Sequence, residues 1–171
     1  MPTKWFHPSS VTQYGQVPQH LSWLGTDVDF TTIKQVRTVK DLTTISNDLQ
    51  LNNLRTTTYY LLLKEFNIKS WDVPDPLNGI ELYINMQRGG RITDETVVFS
   101  YQGNNVSDNR ASADLSNTKT YGGEGDTWNM PSLVYPLISQ PDFAVLLRYQ
   151  SHVYWPHKTT PNMEHVQLRF W

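Results

Sequence analysis

A chain of 171 residues, 38% of them apolar and 12% aromatic, is long enough to bury one sizeable core. Its formal net charge of −2, with only 18% charged residues, supplies no basic field for nucleic acid. The absence of cysteine excludes disulfides and thiolate metal sites as the basis of the fold.

The first residues, MPTKWFHPSSVTQYGQ, lack the continuous apolar core of an export signal, and the apolar run at 59–63 is far too short to span a bilayer. The expectation is a protein with neither export signal nor membrane insertion. Residues 1–54 contain short pieces such as FTTIKQV and DLTTISNDLQL, punctuated by Pro2, Pro8, Gly15, Pro18 and Gly25, in which no period holds. They read as an irregular N-terminal arm, and residues 55–171 as the folded domain.

From Thr56 the β signal becomes regular. TTTYYLLLKEFNI is rich in β-branched and aromatic residues, and Pro74-Asp75-Pro76 ends it with a turn. GIELYINMQ, residues 79–87, then alternates: Ile80, Leu82, Ile84 and Met86 share one side of an extended chain, and Glu81, Tyr83, Asn85 and Gln87 share the other. This predicts a half-buried strand. Arg88-Gly89-Gly90-Arg91 supplies turn chemistry, so this strand and DETVVFSYQ are expected to be antiparallel neighbours in a hairpin.

Residues 103–118 are polar and turn-forming, and TYGGEGDTWNMP predicts a glycine-rich surface loop. Residues 133–138 suit a single short helical turn, bounded by Pro131 and interrupted by Pro136. Two further strands follow, FAVLLRYQ and HVQLRFW, with the beats Phe143, Val145, Leu147, Tyr149 and Val166, Leu168, Phe170. No long amphipathic helix is legible. The economical fold class is all-β, an antiparallel sandwich of jelly-roll type preceded by the arm.

Each candidate for chemistry competes with a plainer reading. His152, His157 and His165, with Glu164, carry metal-binding groups, but their spacing fits no closed template, and solvated histidines are expected. GGEGDTW has neither a phosphate-loop Lys-Ser/Thr pair nor an EF-hand pattern, so its glycines are assigned to turn geometry and Glu124 and Asp126 not to Ca²⁺. Asp72 with Asp75, and Asp94 with Glu95, offer paired carboxylates, as glycoside hydrolysis requires. Asp94 and Glu95, adjacent on a strand, should point to opposite faces, and solvated turn positions are expected for all four. No Gly-x-Ser-x-Gly elbow and no thiol is present, and the chain reads as a non-enzyme without cofactor or metal.

Glycan binding is the competing activity, with Tyr149, Trp155, Trp128, Asn104 and Asn105 of suitable chemistry. The residues chosen as interface or glycan contacts are Trp5, Phe6, Trp23, Trp155 and Tyr149.

The succession YYLLLKEFNI, a proline-bearing turn, NGIELYINMQR, a polar strand, TYGGEGDTW, QPDFAVLLR and a further strand resembles a β-sandwich family of tailed-bacteriophage virion proteins. The resemblance rests on Gly79-Ile80-Glu81, on Tyr121-Gly122-Gly123 with Trp128 behind it, and on Pro141-Asp142-Phe143-Ala144-Val145, and covers roughly the last two-thirds of the chain. It implies a structural component of the tail, baseplate or fibre, made in the host cytoplasm and located in the virion. Its implied partners are other virion proteins and further copies of itself, attached through the arm. A capsid decoration protein and a module binding host-surface glycans are the alternatives. The family offers no catalytic residues to carry over.

Overall fold

A computed structural model describes residues 1–14, 28–29, 38–39, 56–57, 60–88, 92–151 and 162–171. The strands in chain order are β1 (Ser10–Tyr14), β2 (Val28–Asp29), β3 (Thr38–Val39), β4 (Thr56–Thr57), β5 (Tyr60–Lys64), β6 (Gly79–Gln87), β7 (Ile92–Tyr101), β8 (Asn104–Asn105), β9 (Thr118–Glu124), β10 (Phe143–Ser151) and β11 (Asn162–Phe170). A 3₁₀ turn at Ser70–Asp72 and one helical turn, α1 (Tyr135–Ile138), lie in the connections. The helical turn falls where the two prolines place it.

Two antiparallel sheets pack face to face. The larger has the order β1-β5-β10-β7-β8, with β4 also on β10, and the smaller has the order β11-β6-β9. Between them lies one apolar core, to which β6 contributes Ile80, Leu82, Ile84 and Met86, all with no exposed surface. Val166, Leu168 and Phe170 come from β11, and Phe143, Val145, Leu147 and Tyr149 from β10. The alternation in the sequence therefore names the inward faces correctly, because each sheet must hide one face from water. Ala144 and Leu146 are buried as well. That fits a central strand whose sequence, FAVLL, is apolar at every position.

The pairing of β6 differs from the expected hairpin. β6 lies between β11 and β9, whereas β7 lies in the other sheet between β10 and β8. The chain thus crosses from sheet to sheet after Arg88, and glycine-rich turn chemistry serves a crossing as well as a hairpin. Packing decides between them: inward faces of this quality are satisfied by facing each other across the core. The hairpin in this region is β7–β8, whose two-residue turn has positive φ at Gln102 (50°) and Gly103 (79°), as a twist-matched type I′ turn requires.

The first fourteen residues, read from the sequence as part of the arm, belong to the sandwich. Phe6 forms a β-bridge with Leu168 at the edge of β11, and its ring packs edge-on against Phe170 at 5.7 Å between centroids. β1 pairs with β5 in full register, Tyr14 opposite Tyr60. The chain between Tyr14 and Tyr60 therefore leaves and rejoins the large sheet at one place, and β2 and β3 pair with each other within it. Apart from β2 and β3, residues 15–54 of the expected arm lie outside the described residues.

One edge of the large sheet is covered without a full strand. The irregular segment 106–112 runs beside β7, where Val106 N–H donates to Phe99 O and Arg110 N–H to Val97 O. Side chains complete the ladder: Asn109 Oδ1 accepts from Val97 N–H at 2.9 Å, Asn109 Nδ2 donates to Glu95 O at 3.1 Å, and Ser107 Oγ accepts from Phe99 N–H at 2.8 Å. An edge whose N–H groups are already used cannot template another strand.

Candidate functional site

Alternation continues past the core on the outer side of the small sheet. Phe6 turns inward, so its neighbour Trp5 turns outward; Arg169 and Trp171 turn outward on either side of Phe170 in the same way. Trp171 is held in place because its N–H donates to Gly79 O and its carbonyl accepts from Asn78 N–H, which extends the ladder between β11 and β6. The result is a half-buried platform. The Arg169 guanidinium lies 4.4 Å from the centroid of Trp5 and 4.9 Å from that of Trp171.

Arg169 is also aligned from the side by Glu81, directly opposite in the register. Nε reaches Oε1 at 3.1 Å and Nη2 reaches Oε2 at 3.2 Å, a two-point fork that fixes the plane of the guanidinium. Tyr83 adds a tilted ring 5.9 Å from Trp5. Stacking between two indoles contributes about 0.5–1 kcal/mol per contact at such partly exposed positions. More important is rigidity: aromatic faces and an arginine held in advance lose little entropy on contact, and these residue types are enriched at protein interfaces. The arrangement presents no proton-transfer pair and no nucleophile; it can make contacts.

The sequence-selected residues separate. Trp5 lies on this platform. Phe6, at 4% exposed, and Tyr149, with none, belong to the core and offer no surface to a partner or glycan. Trp23 and Trp155 lie outside the described residues, as do His152 and His157. Trp128, part of the glycan reading, is also fully buried, while Asn104 and Asn105 are exposed on the short β8. Among the described residues no three His, Asp or Glu side chains gather so as to hold a metal ion. Within GGEGDTW, Asp126 accepts from the Trp128 N–H at 2.8 Å and pairs with Arg110 at 3.0 Å, a turn-stabilising role.

Asp94 corrects the expectation of a solvated turn carboxylate. Its side chain has no exposed surface and accepts from Arg88 Nη1 at 2.8 Å, Lys119 Nζ at 2.9 Å, the Tyr121 hydroxyl at 2.6 Å and Ser112 N–H at 3.2 Å. The cause is a β-bulge: Arg148 pairs with Thr96 but Tyr149 pairs with Asp94, so Glu95 is the extra residue and the alternation of β7 inverts below it. Asp94 then faces inward with Val97. Arg88, read from the sequence as part of a turn, is fully buried, and the signal that places it inside is its position on the inward beat of Ile80, Leu82, Ile84 and Met86.

Burial is the main reason the Tyr121 and Tyr149 hydroxyls are held well above the ordinary phenol range, with the Asp94 charge adding to it. Burial by itself would pull Arg88 down, but Tyr149 and Asp94 outweigh it and raise the guanidinium. The cluster joins β7 of one sheet to β6 and β9 of the other. It is a buried electrostatic tie centred on Asp94, in which Arg88 engages through Nη1 while its Nε and Nη2 have no hydrogen-bond partner among the described residues.

Comparison with protein families, curated proteins and solved structures finds no match to this chain.

Proposed function

We propose that this chain is a structural component of a bacteriophage virion, of the tail, baseplate or fibre, and that it works by contact with neighbouring virion proteins. The observation that carries the contact role is Arg169 held between Trp5 and Trp171 and braced by Glu81 on the outward face of the small sheet. Such a preorganised aromatic and arginine surface has the composition of an interface centre. The phage assignment rests on the sequence resemblance in GIELYINMQR, TYGGEGDTW and QPDFAVLLR. The stretch between Tyr14 and Tyr60, anchored at both ends to the large sheet, supplies a second region for attachment.

The test is to locate the protein in purified particles by mass spectrometry and cryo-electron microscopy. The reading expects a fixed position and copy number, with Trp5→Ala and Arg169→Ala reducing incorporation while the purified variants keep the native circular dichroism spectrum. Absence from purified virions would overturn it.

A further inference from the structure

A cavity of about 540 Å³ opens between the proline-rich segment that follows the 3₁₀ turn and the start of α1, lined by Val73, Pro74, Pro76, Leu77, Tyr135 and Pro136 among others. Its walls are apolar and its backbone is stiff, since proline fixes φ. Within the 3₁₀ turn Ser70 lines this cavity, as does Val73 just after it, yet Trp71 between them does not; its side chain stands in solvent at 81% exposure. Val134, also on the lining, is 47% exposed. Two of the large hydrophobic residues left to water therefore sit at one place, a projecting indole beside an apolar hollow.

Charge is arranged in the same complementary way. Lys69 is exposed two residues before the indole, and Asp75 is exposed on the wall of the cavity. We propose that this surface pairs with a second copy of the chain, the Trp71 indole of each protomer entering the cavity of the other with Lys69 set against the partner copy's Asp75. Projection and hollow belong to the same patch, so a twofold axis satisfies both at once and the contact closes as a dimer. A projection and hollow far apart on the surface would give an open chain instead. An indole buries about 150–250 Å² and is the residue type most enriched among dominant interface contacts. The inference stands apart from the virion reading, because it concerns the purified chain.

Sedimentation velocity of the purified full chain across a concentration series tests it. The expected result is a reversible monomer–dimer equilibrium that Trp71→Ala weakens at least about tenfold, with an unchanged thermal transition showing that the variant is folded. Lys69→Glu should weaken the dimer, and Lys69→Glu combined with Asp75→Lys should restore it, because the swap re-forms both cross-pairs. A wild-type monomer throughout, a dimer indifferent to Trp71→Ala, or a double variant no better than Lys69→Glu alone would each overturn the proposal. So would an oligosaccharide or proline-rich peptide that quenches Trp71 fluorescence in a chain that stays monomeric.

Discussion

Gly122 leaves room for Trp128: a Cβ built on this glycine would lie 2.2 Å from the indole Nε1 and 2.3 Å from Ile80 O. The same indole N–H donates to Ile80 O at 3.1 Å, and the ring, fully buried, meets Phe99 at 4.6 Å between centroids. Gly122 also has φ of +76°, a conformation L-residues resist. The glycine thus lets a loop tryptophan lock β6 and β9 together from inside the core.

Gly122→Ala should therefore destabilise the fold by about 3 kcal/mol or more, because strain at positive φ adds to a clash with the backbone. Gly103→Ala, at similar φ but with nothing within 4 Å of its added Cβ, should cost about 1 kcal/mol. Urea denaturation of the two variants measures the difference; equal losses would refute the packing role of Gly122.

Removing the charge of Asp94 leaves two cations, Arg88 and Lys119, buried without their shared anion. Asp94→Asn should cost about 3–5 kcal/mol, as breaking one member of a buried ionic set does. Glu95→Gln, at the bulge and partly exposed, where Arg148 is 3.9 Å away, should change stability by less than about 1 kcal/mol. Chemical denaturation at neutral pH distinguishes them.

The two buried tyrosines make stability sensitive to alkali. Their hydroxyls stay protonated in the folded chain above the ordinary phenol range, whereas the unfolded chain ionises near pH 10. Above that pH the unfolded state binds fewer protons than the folded one, so stability is intact below about pH 10 and falls by about 1.4 kcal/mol per pH unit per tyrosine beyond it. Tyr121→Phe should lower stability at neutral pH by about 1.5–3 kcal/mol through the lost bond to Asp94, yet reduce the alkaline slope. Denaturant midpoints between pH 7 and 11 give both quantities, and an unchanged slope in the variant would refute this account.

Asn109 stands in for a strand along β7. Asn109→Ala strips the Val97 N–H of its acceptor, which should cost about 1–3 kcal/mol. It also frees an edge, so the variant should aggregate faster on mild heating. Light scattering alongside thermal unfolding checks the second effect, and aggregation no faster than in the wild type would remove the edge-cover role.

The alternation of GIELYINMQ, FAVLLRYQ and HVQLRFW was enough to name strands and inward faces, because which side of a strand is apolar is a local property with a period of two. The single helical turn was legible from its prolines. The expected glycine-rich surface loop was not read correctly: its first part, residues 120–124, belongs to β9 and pairs with β6, because glycine also permits the close backbone approach that this pairing needs. Strand partners were not legible. Whether β6 turns back on β7 or crosses to the opposite sheet depends on contacts between residues far apart in the chain, and one extra residue, Glu95, inverted the reading of Asp94. The platform required tertiary structure altogether: Trp5, Glu81 and Arg169 come from distant segments and meet only because Phe6 bridges to Leu168 and β6 pairs with β11. By itself the sequence determined an all-β sandwich with known inner faces. Tertiary pairing decided which outward residues share a surface, since the hydrophobic pattern that drives folding specifies burial, and leaves the neighbours of exposed side chains to the register of the sheets.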